Sequence, residues 1–396
     1  MSFAKLLLAT AALLTAAQPV AAQAAVPGEA APAPPGSAPD LYRPQDKLEE
    51  GLWMEMEDAE RGLKTSQLII RDPALNQYVR GVLCRTVGQV QCANIRLYLV
   101  RTPNFNAATA PNGAMQVWSG LLLRVQNEAQ LSAVLAHEYV HFEKRHSLTL
   151  YREAKSKSAA AAWLAFTGIG LIASFGLLGS IFKFSREQER EADLVGLQKL
   201  AAAGYDTREA AVIWEQLREE MDATAAARGT KSRKDKTGGL YATHPPSAER
   251  VAYLRQAAQE LPGVPGETGG QRYRAAMAAW WPVFVDDQLK MNDFGASAFL
   301  LASIAKSGEH SSWIDYANGE LYRRRALAGD LDQADRAYST AIAGGDDLPE
   351  LWRGRGLARL KLGEAAEGRA DLKEYLARSP NAGDRDVIML MSGGNE

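Results

Sequence analysis

The chain has 396 residues, of which 46% are hydrophobic and 23% charged, with a formal net charge of −2. That length accommodates two or three ordinary domains with a sizeable core, and the charge balance gives no global electrostatic case for a nucleic-acid partner. Two cysteines, Cys84 and Cys92, exclude a Cys-rich zinc site.

Residues 1–5 carry one positive charge, residues 6–17 are apolar, and Ala22-Gln23-Ala24 follows with small residues. This is the pattern of a secretory signal peptide over 1–24, cut near Ala24. Its apolar run is shorter than the ~20 residues a membrane-spanning helix needs. In an exported chain, Cys84 and Cys92 can form a disulfide, with two reduced half-buried thiols as the alternative. Residues 25–43, rich in Ala and Pro, read as a linker.

From 44 to 87 the spacing of Leu52, Met56, Leu63, Leu68, Leu75, Tyr78, Val79 and Val82 predicts helix. Residues 95–100 alternate as a strand, Pro111-Asn112-Gly113 signals a turn, and 114–118 can form a second strand. Residues 128–145 predict one long amphipathic helix, with Leu131, Val134, Leu135, Tyr139 and Val140 on its apolar positions. Residues 158–182 carry no charge. A helix is predicted over 186–203, closed by Gly204. Two more helical stretches, a polar loop over 229–239 and a helix over 248–260 follow. Pro262 and Pro265 mark a boundary. Beyond it, Gly329 and Gly363 lie 34 residues apart. Ala334, Tyr338 and Ala341 around the first, and Trp352, Gly356 and Pro380 around the second, fall at tetratricopeptide-like positions. Gly368 stands where that repeat usually has alanine.

The chemistry concentrates at His137-Glu138-Tyr139-Val140-His141, an H-E-x-x-H pattern. Residues i and i+4 share a helix face, so two imidazoles can grip one zinc ion. Glu138 between them can take a proton from a metal-activated water. A hydrolytic zinc site takes three protein ligands and leaves one position open. The charged run 185–193 offers the third, because Glu189 and Asp193 share a face. One carboxylate can meet the zinc, the other a ligand histidine. A solvated acidic face is the alternative reading of that run. His146 lies nine residues past His137, about 180° around a continuous helix, and is expected to pack or cap near its end. His310 is expected at the surface.

His137-Glu138-x-x-His141 followed by Glu189-x-x-x-Asp193 resembles the HtpX and BepA metallopeptidases, kin of the CAAX prenyl proteases. Asn106-Ala107, Pro111-Asn112-Gly113, Gly120-Leu121-Leu122 and Thr243-His244-Pro245-Pro246 through Arg250 are similar to further motifs of that family. The resemblance covers roughly 45–256. The tetratricopeptide-like tail is similar to the BepA-type arrangement.

The resemblance implies an α+β fold: a mainly helical, zincin-like metalloprotease domain with a small β-sheet over 44–262, then an all-α tetratricopeptide-like domain over 270–396. It implies one Zn2+ per chain on His137, His141 and Glu189, with Glu138 as general base and Asp193 orienting a ligand histidine. His244 would be a fourth, self-inhibiting ligand. Arg250 would anchor its loop or stabilise an oxyanion. The implied work is periplasmic: hydrolysis of unfolded or misassembled exported and outer-membrane proteins, in contact with the membrane surface or the outer-membrane assembly machinery. A chaperone or binding module with latent activity is the alternative, and a structural zinc protein a third. Since His141 and Glu189 must reach one zinc, 158–182 is expected as a hairpin rather than a single membrane crossing. The strand 114–118 is the expected docking edge for an extended substrate.

Overall fold

The computed structural model describes residues 42–156, 184–235, 244, 246–261, 265–306 and 312–394. The expected signal peptide, all but the last two residues of the linker, the apolar run 158–182, Thr243, Pro245 and His310 lie outside the described residues.

The helical pattern over 44–87 is realised as two helices, α1 (Lys47–Thr65) and α2 (Pro73–Val87). The break has local causes. A residue before proline is steered out of the α region, and Asp72 is extended, its side chain accepting from Leu75 N–H. Arg71 donates to the carbonyls of Lys64 and Ser66, satisfying the end of α1. The short α3 (Gln89–Cys92) is tied back to α2 by the Cys84–Cys92 disulfide.

Three strands form one sheet: β1 (Arg96–Val100), β2 (Ala107–Thr109) and β3 (Ala114–Trp118), in the order β1-β3-β2. β1 runs parallel to β3 with Arg96 opposite Ala114, and β2 runs antiparallel with Ala108 opposite Gln116. The turn before β3 is fixed by Asn112, whose amide donates to the buried Glu60 at 3.0 Å. Gly113 takes φ 83°, where a side chain would be strained and would strike the Asn94 carbonyl. β3 is therefore central, and both its edges are taken. The expectation that it docks a substrate strand is corrected on this ground. Among the described residues, no strand pairs with the outer edge of β2, which packs against the next long helix.

That helix is α5 (Glu128–Glu143), capped by Asn127 and reached through the short α4 (Ser119–Arg124). The single helix expected over 128–145 ends early. Arg145 sits at φ 56° and a new helix, α6 (His146–Ser156), begins. The Arg145 guanidinium stacks 4.5 Å from the Tyr42 ring and donates to Gln45 at 2.7 Å, contacts that hold the unfavourable backbone. α7 (Arg186–Ala202) opens with a capping box between Ser185 and Gln188. One helix, α8 (Glu209–Ala227), occupies the place of the two stretches expected before the polar loop. α9 (Ala248–Glu260) follows with Ser247 as cap.

The remaining helices are α10 (Gly270–Met277), α11 (Trp281–Leu289), α12 (Phe294–Lys306), α13 (Ser312–Arg325), α14 (Asp330–Ala343), α15 (Glu350–Leu362), α16 (Ala365–Arg378) and α17 (Arg385–Met391). The protein is a mainly helical α+β structure. Its largest core runs from Ile70 through Leu121, Leu135 and Trp214 to Trp281, Leu300 and Leu321. A separate core gathers Ala334, Tyr338, Trp352, Leu372 and Ile388. No described helix is long and apolar enough to cross a membrane.

Candidate metal centre

Helices α5 and α7 cross closely. Gly196 of α7 lies against the backbone of α5, where an added Cβ would stand 3.3 Å from the His137 nitrogen. This approach brings the carboxylate of Glu189 over the face of α5 that carries His137 and His141. The Nε2 atoms of those histidines are 3.1 Å apart. Glu189 Oε2 lies 3.6 Å from His137 Nε2, and its Oε1 lies 3.4 Å from His141 Nε2. His244, from the segment before α9, inserts its Nδ1 at 3.1 Å from His137 Nε2 and 2.8 Å from Glu189 Oε1. The donor atoms of these four residues all lie within 4.8 Å of one another. Glu138 is also buried, its Oε1 3.5 Å from His244 Nε2.

The donor set fits a divalent metal ion. Zn–N bonds of 2.0–2.1 Å in a tetrahedron place neighbouring ligand nitrogens about 3.3 Å apart, close to the separations seen here. Glu189 Oε2 is buried and accepts no hydrogen bond; Arg250 Nη1 stands 3.6 Å away, near enough to balance its charge but not to hydrogen-bond, so the oxygen keeps its lone pairs for a metal ion. The far nitrogens of both histidines are engaged elsewhere, which leaves each Nε2 lone pair directed at the common centre.

Those far contacts differ. His137 Nδ1 faces Asp193 Oδ1 at 2.8 Å. Burial raises the Asp193 carboxyl, but Arg250 and His137 outweigh it and hold the group down at about 2, so it stays ionised. Arg250 binds both oxygens of Asp193, at 2.5 and 2.8 Å, and Tyr253 donates to the same carboxylate. The Arg250 guanidinium lies 3.6 Å from the centroid of Trp214 and is 3% exposed. His141 Nδ1 instead faces His146, and its ring stacks on Phe184 at 3.9 Å. His146 was expected on the same helix, turned away from the site. The break at Arg145 returns it beside His141. Sequence reasoning did not single out His146, Glu191, Phe184 or Tyr253 for the site; Tyr253, three residues past Arg250 on one helix face, carried the only periodic signal.

Burial moves the ionisable groups of the cleft. Glu138 is pushed up by desolvation, with His244 and His137 opposing. His141 is pushed well down by burial, which keeps its imidazole neutral as a metal donor requires.

Residues 71–258 match the family model described as peptidase family M48. That segment is a peptidase family M48 domain. The mitochondrial metalloendopeptidase OMA1 of Schizosaccharomyces pombe is 33% identical over 187 residues, covering 45% of this chain and 52% of that protein. The beta-barrel assembly-enhancing protease of Escherichia coli strain K12 is 28% identical over 217 residues, covering 51% of this chain and 42% of that protein. The chain thus spans about half, or less, of the length of these relatives. His137, His141, Glu189, Asp193, His244 and Arg250 all fall inside the matched M48 segment.

The buried Asp193–Arg250 pair is expected to be sensitive to loss of one partner. Arg250→Met strands an ionised, desolvated carboxylate and should destabilise the protein by ~3–5 kcal/mol. Denaturant unfolding of the variant checks this. Lysine should not rescue it, because the contact is bidentate.

Proposed function

We propose that the chain is a zinc-dependent endopeptidase of exported proteins, with His137, His141 and Glu189 as the metal ligands. The observation that carries this reading is the convergence of those three side chains on one point, with the Glu138 carboxylate beside it. When bound, the zinc ion supplies Lewis acidity that sharpens a water nucleophile and polarises the scissile carbonyl. Glu138 accepts the proton of the attacking water and passes it to the leaving amine. Asp193, held by Arg250 and Tyr253, keeps His137 in the tautomer that presents Nε2. The outer edge of β2, beside α5, receives an extended peptide by main-chain hydrogen bonds.

His244 is the self-inhibiting element of this proposal. Its Nδ1 lies at the fourth ligand position while its Nε2 faces Glu138, so one ring blocks both the water site and the base. The tetratricopeptide-like helices over 270–396 serve to capture clients, while residues 44–262 carry the chemistry. The names of the relatives support substrates among proteins of β-barrel assembly, hence a periplasmic location after removal of residues 1–24. Zinc content and cleavage of an unfolded outer-membrane protein test the reading together. Wild type should bind one zinc per chain. His244→Ala should keep that zinc and cleave faster by severalfold or more. Slower cleavage by folded, zinc-loaded His244→Ala would reject self-inhibition.

A further inference from the structure

Among the described residues, no carboxylate stands behind His141 as Asp193 stands behind His137. His141 Nδ1 lies 2.9 Å from Nδ1 of His146, which is buried, and His146 Nε2 lies 3.2 Å from Glu191 Oε2. Glu191 stands on α7, two residues from Glu189 and two from Asp193. The hydrogens along this line follow from chemistry. For His141 to present Nε2 as a lone pair, its proton must sit on Nδ1. That N–H can only donate, so His146 Nδ1 must accept. The remaining His146 proton then sits on Nε2, which donates to Glu191. Each link fixes the next, and the chain ends on a half-exposed carboxylate.

We infer that His146 is a positioning residue for the metal centre, setting the tautomer and orientation of His141 through a neutral imidazole relay anchored by Glu191. This rests on the proposed role of His141 as a ligand. The two ligand histidines are thus oriented by one helix, α7, through different means: His137 directly by the carboxylate of Asp193, His141 at one remove. The return of the chain at Arg145 exists, on this reading, to bring His146 back against α5. A merely packed histidine would not need its ring nitrogens aligned with a donor on one side and an acceptor on the other.

The test is zinc affinity, by competition with a chelator, for wild type, His146→Leu, His146→Asn and Glu191→Ala, with thermal unfolding of each metal-free protein as control. Leucine fills the site but cannot accept; the Asn oxygen can take the place of Nδ1. Removal of a partner behind a ligand histidine typically weakens metal binding 10–100-fold. His146→Leu should show a loss of that order, His146→Asn should recover most of it, and Glu191→Ala should lie between. Equal zinc affinity in folded His146→Leu would overturn the inference, as would equal losses in the Leu and Asn variants. If neither His146 variant folds, Glu191→Ala decides, and wild-type affinity there overturns the relay. Wild type that binds no zinc would reject the metal-site reading itself, a different outcome from any of these.

Discussion

Glu138→Gln should abolish peptide cleavage while leaving zinc content unchanged. Glutamine keeps the shape of the side chain and its place on α5, and removes only the capacity to accept a proton. A positioned general base contributes ~10²–10⁴-fold to such a rate. The environment suits the role: the carboxylate is buried, desolvation raises its proton affinity, and His244 and His137 oppose without cancelling that shift. Zinc should stay because the ligand atoms converge from His137, His141 and Glu189, none of which depends on Glu138 for a hydrogen bond. Single-turnover cleavage of a denatured outer-membrane protein and metal analysis of the same sample make the comparison. Undiminished cleavage would remove Glu138 from the mechanism. A variant that loses its zinc would make Glu138 a structural member of the site. Full complementation by an inactive variant would shift the biological role toward client binding.

The parts of the site readable in sequence were those encoded within one turn of helix. His137, Glu138 and His141 are legible because i, i+4 spacing on an apolar-backed helix has a single geometric meaning. Glu189 and Asp193 were legible as a pair for the same reason, and Ser185 with Gln188 marks where their helix starts. The turn at Asn112-Gly113 announced itself through residue type. Long-range causes were silent. Nothing in Lys144-Arg145 resembles a helix stop, because the φ of Arg145 is held by Tyr42, Gln45 and Glu49, a hundred residues earlier. That hidden break removed His146 from the expected site. β2 was missed since three residues cannot establish an alternation, and its strand character comes from pairing with β3. The centrality of β3 likewise depends on a parallel partner, β1, chosen by tertiary packing.

Truncation after Leu261 should yield no folded protease, whereas truncation after Arg325 should leave one. The argument is the continuity of the largest core. Tyr273, Met277, Trp281, Phe284, Leu289, Leu300 and Ile304 are buried together with Leu121, Leu122, Leu217 and Trp214 of the M48 segment. Fully burying such side chains stabilises by ~1.5–3 kcal/mol each, so half a dozen of them match the whole ~5–15 kcal/mol that typically separates folded from unfolded protein. Polar losses add to this. Arg272 donates to both oxygens of Glu128, which is buried at the start of α5, and Tyr273 donates to the Leu122 carbonyl. Arg124 and Glu220, a buried pair, would lose Gln288 from their network. Removing α10 to α13 therefore uncovers the N-terminal end of α5, the helix that carries His137 and His141 further along. The second core begins at Ala334 and shares no buried member with the first, so cutting at Arg325 spares the scaffold of the site. Circular dichroism and cooperative thermal unfolding of the two truncated chains distinguish these cases. A cooperative transition in the shorter one would mean that residues 42–261 hold the metal centre without the helices that cover them.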